Sequence, residues 1–211
     1  MSTLGLKSGS AFRIMNEKSK YWGRRNMASR ILHLAVSKAD SHLKVSVCGN
    51  SKKTYDLDKF ISLFPNEIKK DELYKGYYLH LIQDLVFREL MYDKYKWNPT
   101  IPGNVERLHN DYHLINLYVI KKYGITNDIQ MIPGLEKEKI YSLYPYKIEN
   151  FLSDMGNDFI DSETGEHFFF TKEMADEFVE SAAETCIREL QALEEGKHYV
   201  DAYERAWLIK H

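Results

Sequence analysis

The stretch "GYYLHLIQDLVFREL" (residues 76–90) decides the fold class of this chain. Nine of the 14 residues from Tyr77 to Leu90 are apolar, which predicts a helix that is buried on most of its circumference. We expect this helix to run from Leu73 to Tyr95, with Asp71 as its cap and the prolines of "WNPTIPGN" beyond its end. Such a helix requires other elements around it, and the rest of the chain supplies them.

Most of the remaining sequence also carries signals of helices. Apolar periodicity, capping residues and the glycines that follow predict helices at about 28–38, 57–64, 104–123, 146–155 and 171–195. The stretch "HLKVSVCGN" (residues 42–50) alternates with β-branched residues and is a candidate strand, but a single strand cannot make a sheet. The predicted fold class is therefore all-α, a single-domain helical bundle with long central helices.

Composition excludes several classes of protein. The chain has 211 residues, of which 44% are hydrophobic and 28% charged, enough for one sizeable domain. Its net charge of −2 gives no general attraction to nucleic acid, and no apolar run is long enough for a membrane span. Cys48 and Cys186 form no CxxC or zinc-ribbon pattern, so we expect two free thiols and a cytoplasmic location.

The first 26 residues differ from the rest. They carry six basic residues and one acidic residue, with no apolar segment typical of a secretory signal. We expect residues 1–26 to form a loose basic extension and residues 27–211 to form one helical domain. An organelle-type leader and an upstream extension of a reading frame that begins at Met27 are the alternatives.

His80 and Asp84 lie one turn apart on the central helix. Residues four apart share one face at about 6 Å, so the ring and the carboxylate can be directed at one point. A hydrogen-bonded polar pair explains the same spacing without a metal. Burial of an unpaired carboxylate costs several kcal/mol, which a metal ion or a cationic partner would offset.

Other histidines are candidates for the same site. His33 lies among apolar residues of the first predicted helix, His42 lies in "ADSHLKV", and His109 and His113 are one turn apart in the third helix. Neutral imidazoles with a carboxylate suit Zn²⁺ or another borderline divalent ion. Taken singly, each histidine is more often a hydrogen-bonded or surface residue.

Four motifs resemble one bacterial hydrolase family. "MASRILHLAVS", "SHLKV", "GYYLHLIQDLVF" and "RLHNDYHLINLYVIKKYG" are similar to segments of the zinc-dependent phospholipase C type hydrolases, an all-helical fold more distantly related to the single-strand nucleases of the P1 type. The similarity covers about residues 27–207. It implies that His33, His42, His80 and Asp84 bind one or two zinc ions, with the aspartate bridging two of them.

The chain departs from the family pattern in three places. Family members bind one metal through the mature amino terminus, whereas 26 residues precede the domain here. An L-P-D-A loop that carries a candidate general base is missing between "HLAVSK" and "ADSHL", and Asp40 is the residue that could take that catalytic role. His109 and His113 stand where the family has an H-x-x-x-E third-metal site.

The resemblance implies a metal-dependent hydrolase that acts on a phosphate ester through a metal-bound hydroxide. Its substrate would be a small molecule, with Arg88 and Arg107 as phosphate partners. The alternative is a catalytically impaired or non-catalytic scaffold that retains part of the metal site. On that alternative the amphipathic segment 173–196 offers a face for self-association into a homo-oligomer. Nucleic-acid binding is the weakest prediction, because the domain after residue 26 is net acidic.

Overall fold

The computed structural model describes residues 43–125, 134–143, 159–160 and 165–208. The predicted helices at 28–38 and 146–155 lie outside these residues, as does the predicted basic extension. None of the helices in the described ranges is long and apolar enough to cross a membrane.

The described helices match the predicted ones closely. They are α1 (Leu57–Leu63), α2 (Glu67–Lys70), α3 (Glu72–Arg88), α4 (Asn104–Tyr123) and α5 (Lys172–Glu194). Two short 3₁₀ turns lie at Leu135–Lys137 and Lys139–Leu143. The prediction of a mainly helical protein is therefore confirmed. Helix α2 and the two 3₁₀ turns were not predicted, because they are too short to show hydrophobic periodicity.

A small sheet corrects the expectation that a lone strand would find no partner. Strand β1 (Lys44–Val47) falls in the predicted stretch and pairs antiparallel with β2 (Lys52–Tyr55). Strand β3 (Trp207–Leu208) pairs antiparallel with the other edge of β2. The sequence concealed this sheet because β2 is short and lysine-rich and β3 has only two residues.

Helix ends follow ordinary capping chemistry. The side chains of Asp56 and Asp71 accept hydrogen bonds from the backbone N–H groups of the first turns of α1 and α3. At the end of α4, Gly124 adopts the left-handed conformation with φ of 63°, as its position predicts. The side chain of Asn104 does not cap α4, because Asn104 is the first helical residue, and its amide donates to the carbonyl of Asn98 at 3.0 Å.

The central helix changes its geometry before it ends. After Arg88 the chain continues as a π-helical segment, Glu89–Lys94. The N–H of Tyr95 then bonds to the carbonyl of Leu90 at 2.8 Å, which is the wider spacing of a π-helix. The predicted end near Tyr95 is thus correct, although the last turn and a half is not α-helical.

Two apolar clusters meet along α3. The first surrounds α3 from Leu73 to Leu85 and includes the fully buried Tyr55, Phe60 and Tyr78. The second lies beside the π-helical segment and contains Met91 and Phe170. Since α3 contributes to the larger cluster along most of its length, its few polar residues are placed among apolar neighbours.

The capping hydrogen bond at the start of α5 is expected to stabilise the folded protein. The Thr171 hydroxyl accepts from the N–H of Met174 at 3.3 Å. Replacement of Thr171 by Ala is expected to lower the free energy of unfolding by about 1 kcal/mol, as measured by urea denaturation. Thr171→Ser is the matched control, because it keeps the capping hydroxyl and should unfold close to the wild type.

Candidate metal site

The candidate metal ligands His80 and Asp84 lie close together inside the protein. His80 and Asp84 both lie on α3, and their exposed fractions are 1% and 6%. The Nε2 atom of His80 is 3.9 Å from the Oδ1 atom of Asp84. The i, i+4 spacing therefore brings the imidazole and the carboxylate to one buried point, as the sequence predicts.

The other oxygen of Asp84 is held by two further side chains. The hydroxyl of Tyr55 donates to Oδ2 at 2.6 Å, and the Nη2 atom of Arg88 lies 3.6 Å from the same oxygen. Arg88 also donates to the Tyr55 hydroxyl oxygen at 3.3 Å. Asp84 thus divides its oxygens, with Oδ2 toward Tyr55 and Arg88 and Oδ1 toward His80.

Arg88 is enclosed by aromatic rings of the small sheet. Its guanidinium carbon lies 4.3 Å from the centre of the Trp207 ring and 6.0 Å from that of Tyr55. Burial lowers the pKa of Arg88, but its interactions with Tyr55 and Asp84 raise that pKa on balance. The guanidinium therefore stays charged and balances the negative charge of Asp84 in a region of low dielectric.

Sequence reasoning named Arg88 but missed Tyr55. Arg88 is one turn after Asp84 on the same helix, so the spacing alone predicts that the two side chains are neighbours. Tyr55 lies 29 residues before Asp84 at the end of β2. No local pattern signals such a contact, and only the packing of β2 against α3 brings the hydroxyl to the carboxylate.

The pair has a geometry that fits two ligands of one divalent ion. Two ligands at tetrahedral angles around zinc lie about 3.3 Å apart. The observed 3.9 Å between Nε2 of His80 and Oδ1 of Asp84 needs only small side-chain rotations to reach that value. A carboxylate ligand is commonly oriented by a second hydrogen-bonding partner, which is the position that Tyr55 occupies.

The described residues do not complete a metal site around this pair. Across 43–125, 134–143, 159–160 and 165–208, no group of three or more His, Cys, Asp or Glu side chains could hold a metal ion. His33 and His42, predicted as ligands, and Asp40, predicted as a catalytic base, all lie outside these ranges. Their roles stay predictions.

The second histidine pair lies on the surface of α4. His109 and His113 are exposed, on the side of the helix opposite the buried Leu108 and Asp111. Arg107 is exposed as well, and its guanidinium carbon lies 4.7 Å from the centre of the Phe168 ring. The metal role of the two histidines and the phosphate role of Arg107 therefore stay predictions that the described contacts do not strengthen.

Two other carboxylates are completely buried, and sequence reasoning did not single them out. Asp111 accepts backbone N–H groups of Phe168, Phe169 and Phe170, each at 2.7 Å. Glu189 on α5 accepts four hydrogen bonds and has no exposed surface. Both stand at core-facing positions of amphipathic helices, and an acidic residue at such a position was the available signal. Their partners are mostly backbone groups, which is typical of a structural role.

A groove of about 470 Å³ lies between the π-helical segment and α5. Its basic side chains are engaged in ion pairs, Lys94 with Glu177 and Arg205 with Glu89. The groove lining includes neither His80 nor Asp84, so it is separate from the candidate metal site.

The cluster of Tyr55, His80, Asp84 and Arg88 is the strongest functional candidate among the described residues. It places an imidazole, a carboxylate and a guanidinium at one buried locus, which suits the binding of a metal and an anion. No protein-family model, no curated protein and no solved structure matches this chain, so no relative adds to the assignment of these residues.

Proposed function

We propose that this protein is a metal-dependent hydrolase of phosphate esters in which His80 and Asp84 supply two of the metal ligands. The observation that carries the proposal is that the two carboxylate oxygens of Asp84 face different partners. Tyr55 holds Oδ2 at 2.6 Å, while Oδ1 is turned toward Nε2 of the buried His80. A bound Zn²⁺, or another divalent ion, supplies Lewis acidity and an activated water for hydrolysis.

Arg88 is the proposed partner of the substrate phosphate. A guanidinium matches two phosphoryl oxygens with parallel N–H donors and stays charged at any working pH. The Arg88 side chain is 21% exposed, which is more than the 9% of the Asp84 side chain. Arg88 can therefore meet a small substrate at the rim of the cluster while Asp84 remains inside it.

The same geometry favours one metal ion over a bridged pair. A bridging aspartate offers one oxygen to each metal, whereas Oδ2 of Asp84 already accepts from Tyr55 and faces Arg88. A second cation at Oδ2 would also be repelled by the guanidinium. We therefore propose a single ion, which His80 and Asp84 would hold together with ligands such as His33 and His42.

Metal content tests the proposal directly. The full chain is stripped with chelator, reloaded with Zn²⁺, dialysed and analysed for zinc per chain by mass spectrometry. About one zinc per chain is expected for the wild type, and none for the double variant His80→Ala plus Asp84→Asn, since two ligands are lost. Hydrolysis of p-nitrophenyl phosphate and bis-p-nitrophenyl phosphate, with Zn²⁺ or Mn²⁺ added, should fall to background in the same variant.

The exposed pair provides the matched control. His109→Ala plus His113→Ala removes two histidines of the same spacing from the surface of α4 and should leave both zinc and hydrolysis unchanged. Zinc that is lost only from this control would move the site to α4 and contradict the proposal. Circular dichroism must show that each variant retains the wild-type helix content.

A non-catalytic scaffold is the second candidate function. The observation that favours it is the ion pair of Arg88 with Asp84, because that pair already neutralises the buried carboxylate without a metal. If the protein is such a scaffold, the wild type binds no zinc after reloading and hydrolyses neither substrate. The experiment above therefore separates the two functions.

A further inference from the structure

The groove between the π-helical segment and α5 has the size of a small-molecule site. Its volume of about 470 Å³ lies within the range of about 300–1,000 Å³ that is typical of ligand pockets. One wall comes from the end of α3 and the π-helical segment, and the opposite wall comes from Ser181 and Thr185 of α5. Arg205, from the segment that follows α5, completes the lining. π-Helical turns are rare in proteins and occur frequently at functional sites.

Two ion pairs neutralise three of the four charged side chains of the groove. Glu89 pairs with Arg205 at 2.7 Å, and both residues belong to the lining. Lys94 pairs with Glu177, which is on α5 one turn before Ser181 and does not line the groove. Both cations of the lining are therefore already engaged with carboxylates.

Asp93 differs from the other charged residues of the lining. It is exposed, and its carboxylate makes no hydrogen bond or ion pair with any residue that the structure describes. It follows Glu89 by four residues on the π-helical segment, and both residues line the groove. Because the other three charges are paired, Asp93 gives the groove an uncompensated negative charge.

Two hydroxyl groups line the groove from α5. Ser181 and Thr185 are one turn apart on this helix. The Thr185 hydroxyl donates its proton to the carbonyl of Ser181 at 2.7 Å, so its oxygen can still accept a hydrogen bond. Within the described residues the Ser181 hydroxyl makes no hydrogen bond, and it can therefore donate to a ligand or accept from one. Val86 and Leu90 add apolar surface beside these groups.

The surroundings of the groove favour a small molecule over a protein partner. Protein-binding surfaces commonly present an exposed apolar patch around an anchoring pocket. None of the large apolar side chains that are exposed in the described ranges lines this groove. A concave space with a few polar groups and little exposed apolar rim is instead typical of a site for a small ligand.

We propose that this groove binds a small organic amine, with its ammonium group paired to Asp93. The hydroxyl oxygens of Ser181 and Thr185 accept further donors of the ligand, and its hydrocarbon part lies against Val86 and Leu90. An anionic ligand would meet the charge of Asp93 without an unpaired cation to offset it. The groove is separate from the cluster of His80 and Asp84, so this inference holds whether or not that cluster binds a metal.

A titration of the full-length protein with benzylamine tests the inference. Benzylamine carries one ammonium group on an apolar ring, and two-dimensional amide NMR near neutral pH and at low salt reports both its affinity and its position. Saturable shifts are expected for residues 86–94 and 181–185, with a dissociation constant of about 0.1–10 mM for so small a ligand. Benzyl alcohol has the same shape without the charge and should bind about three- to fivefold more weakly, as for the loss of one exposed ion pair.

Asp93→Asn removes the charge and keeps the shape of the side chain. This variant should bind benzylamine about three- to fivefold more weakly than the wild type and should bind benzyl alcohol equally well. Glu136→Gln is the matched control, because it removes an exposed carboxylate outside the groove and should bind both ligands like the wild type.

Three results overturn the inference. Benzylamine that causes no saturable shift at the groove residues shows that the amine does not bind there. Equal affinities of the wild type and Asp93→Asn for benzylamine remove the carboxylate from recognition. Equal affinities of the wild type for benzylamine and benzyl alcohol show that the groove does not select a cation, and this comparison decides alone if Asp93→Asn fails to fold.

Discussion

Replacement of Glu189 by leucine is expected to lower the free energy of unfolding by about 3–5 kcal/mol. The carboxylate is fully buried and accepts four hydrogen bonds, from the Tyr78 hydroxyl, the His198 ring and the N–H groups of Tyr199 and Val200. Leucine fills a similar volume but accepts none of them. The four donors would be left without this acceptor, and each such loss costs more than the bond itself contributes.

The conservative variant Glu189→Gln separates hydrogen bonding from charge. Glutamine keeps one carbonyl oxygen and offers two N–H donors, so it can satisfy part of the cluster and should be intermediate in stability. Urea denaturation followed by circular dichroism measures all three proteins. A leucine variant within about 1 kcal/mol of the wild type would show that the Glu189 cluster does not hold α3, α5 and the residues after α5 together.

Asp111→Ala is expected to lower the free energy of unfolding by about 2–4 kcal/mol, because three backbone N–H groups lose their shared acceptor. The carboxylate has no exposed surface and receives Phe168, Phe169 and Phe170 at 2.7 Å each. These contacts fix the stretch that leads into α5. The effect should therefore include faster hydrogen exchange of residues 165–170 under native conditions.

Asn110→Ala is the matched control for this variant. Asn110 is the preceding residue on α4 and is exposed, so its loss should change stability by no more than about 0.5 kcal/mol. Asp111→Asn keeps one acceptor oxygen and should lie between the wild type and the alanine variant. A loss confined to Asn110, or equal losses in both alanine variants, would contradict the anchoring role of Asp111.

Local signals predicted most of the helical structure correctly. Asp71 caps α3 as predicted, Thr171 caps α5 at the predicted start of that helix, and Gly124 ends α4 in the left-handed conformation. These features depend on hydrogen bonds and steric limits within a few residues of one another, so they are readable from the chain alone. The sheet was missed because β2 is rich in lysine and β3 has only two residues, although Gly49 and Asn50 in the turn between β1 and β2 were a local hairpin signal.

In the candidate site, too, contacts within one helix were predictable and contacts between distant segments were not. The spacing of His80, Asp84 and Arg88 determined that they share one face of α3, because a helix repeats every 3.6 residues. Sequence also indicated that this face is buried. It did not show that Tyr55 would take one oxygen of Asp84, or that Trp207 would cover Arg88.

By itself, then, the sequence determined which segments are helical and which side chains share a helical face. Tertiary structure alone decided the partners of the buried charges: Tyr55 for Asp84, the backbone of residues 168–170 for Asp111, and His198 for Glu189. The physical reason is that helix formation satisfies the backbone within four residues, whereas a buried carboxylate must be satisfied by whatever donors the packing of distant segments brings to it.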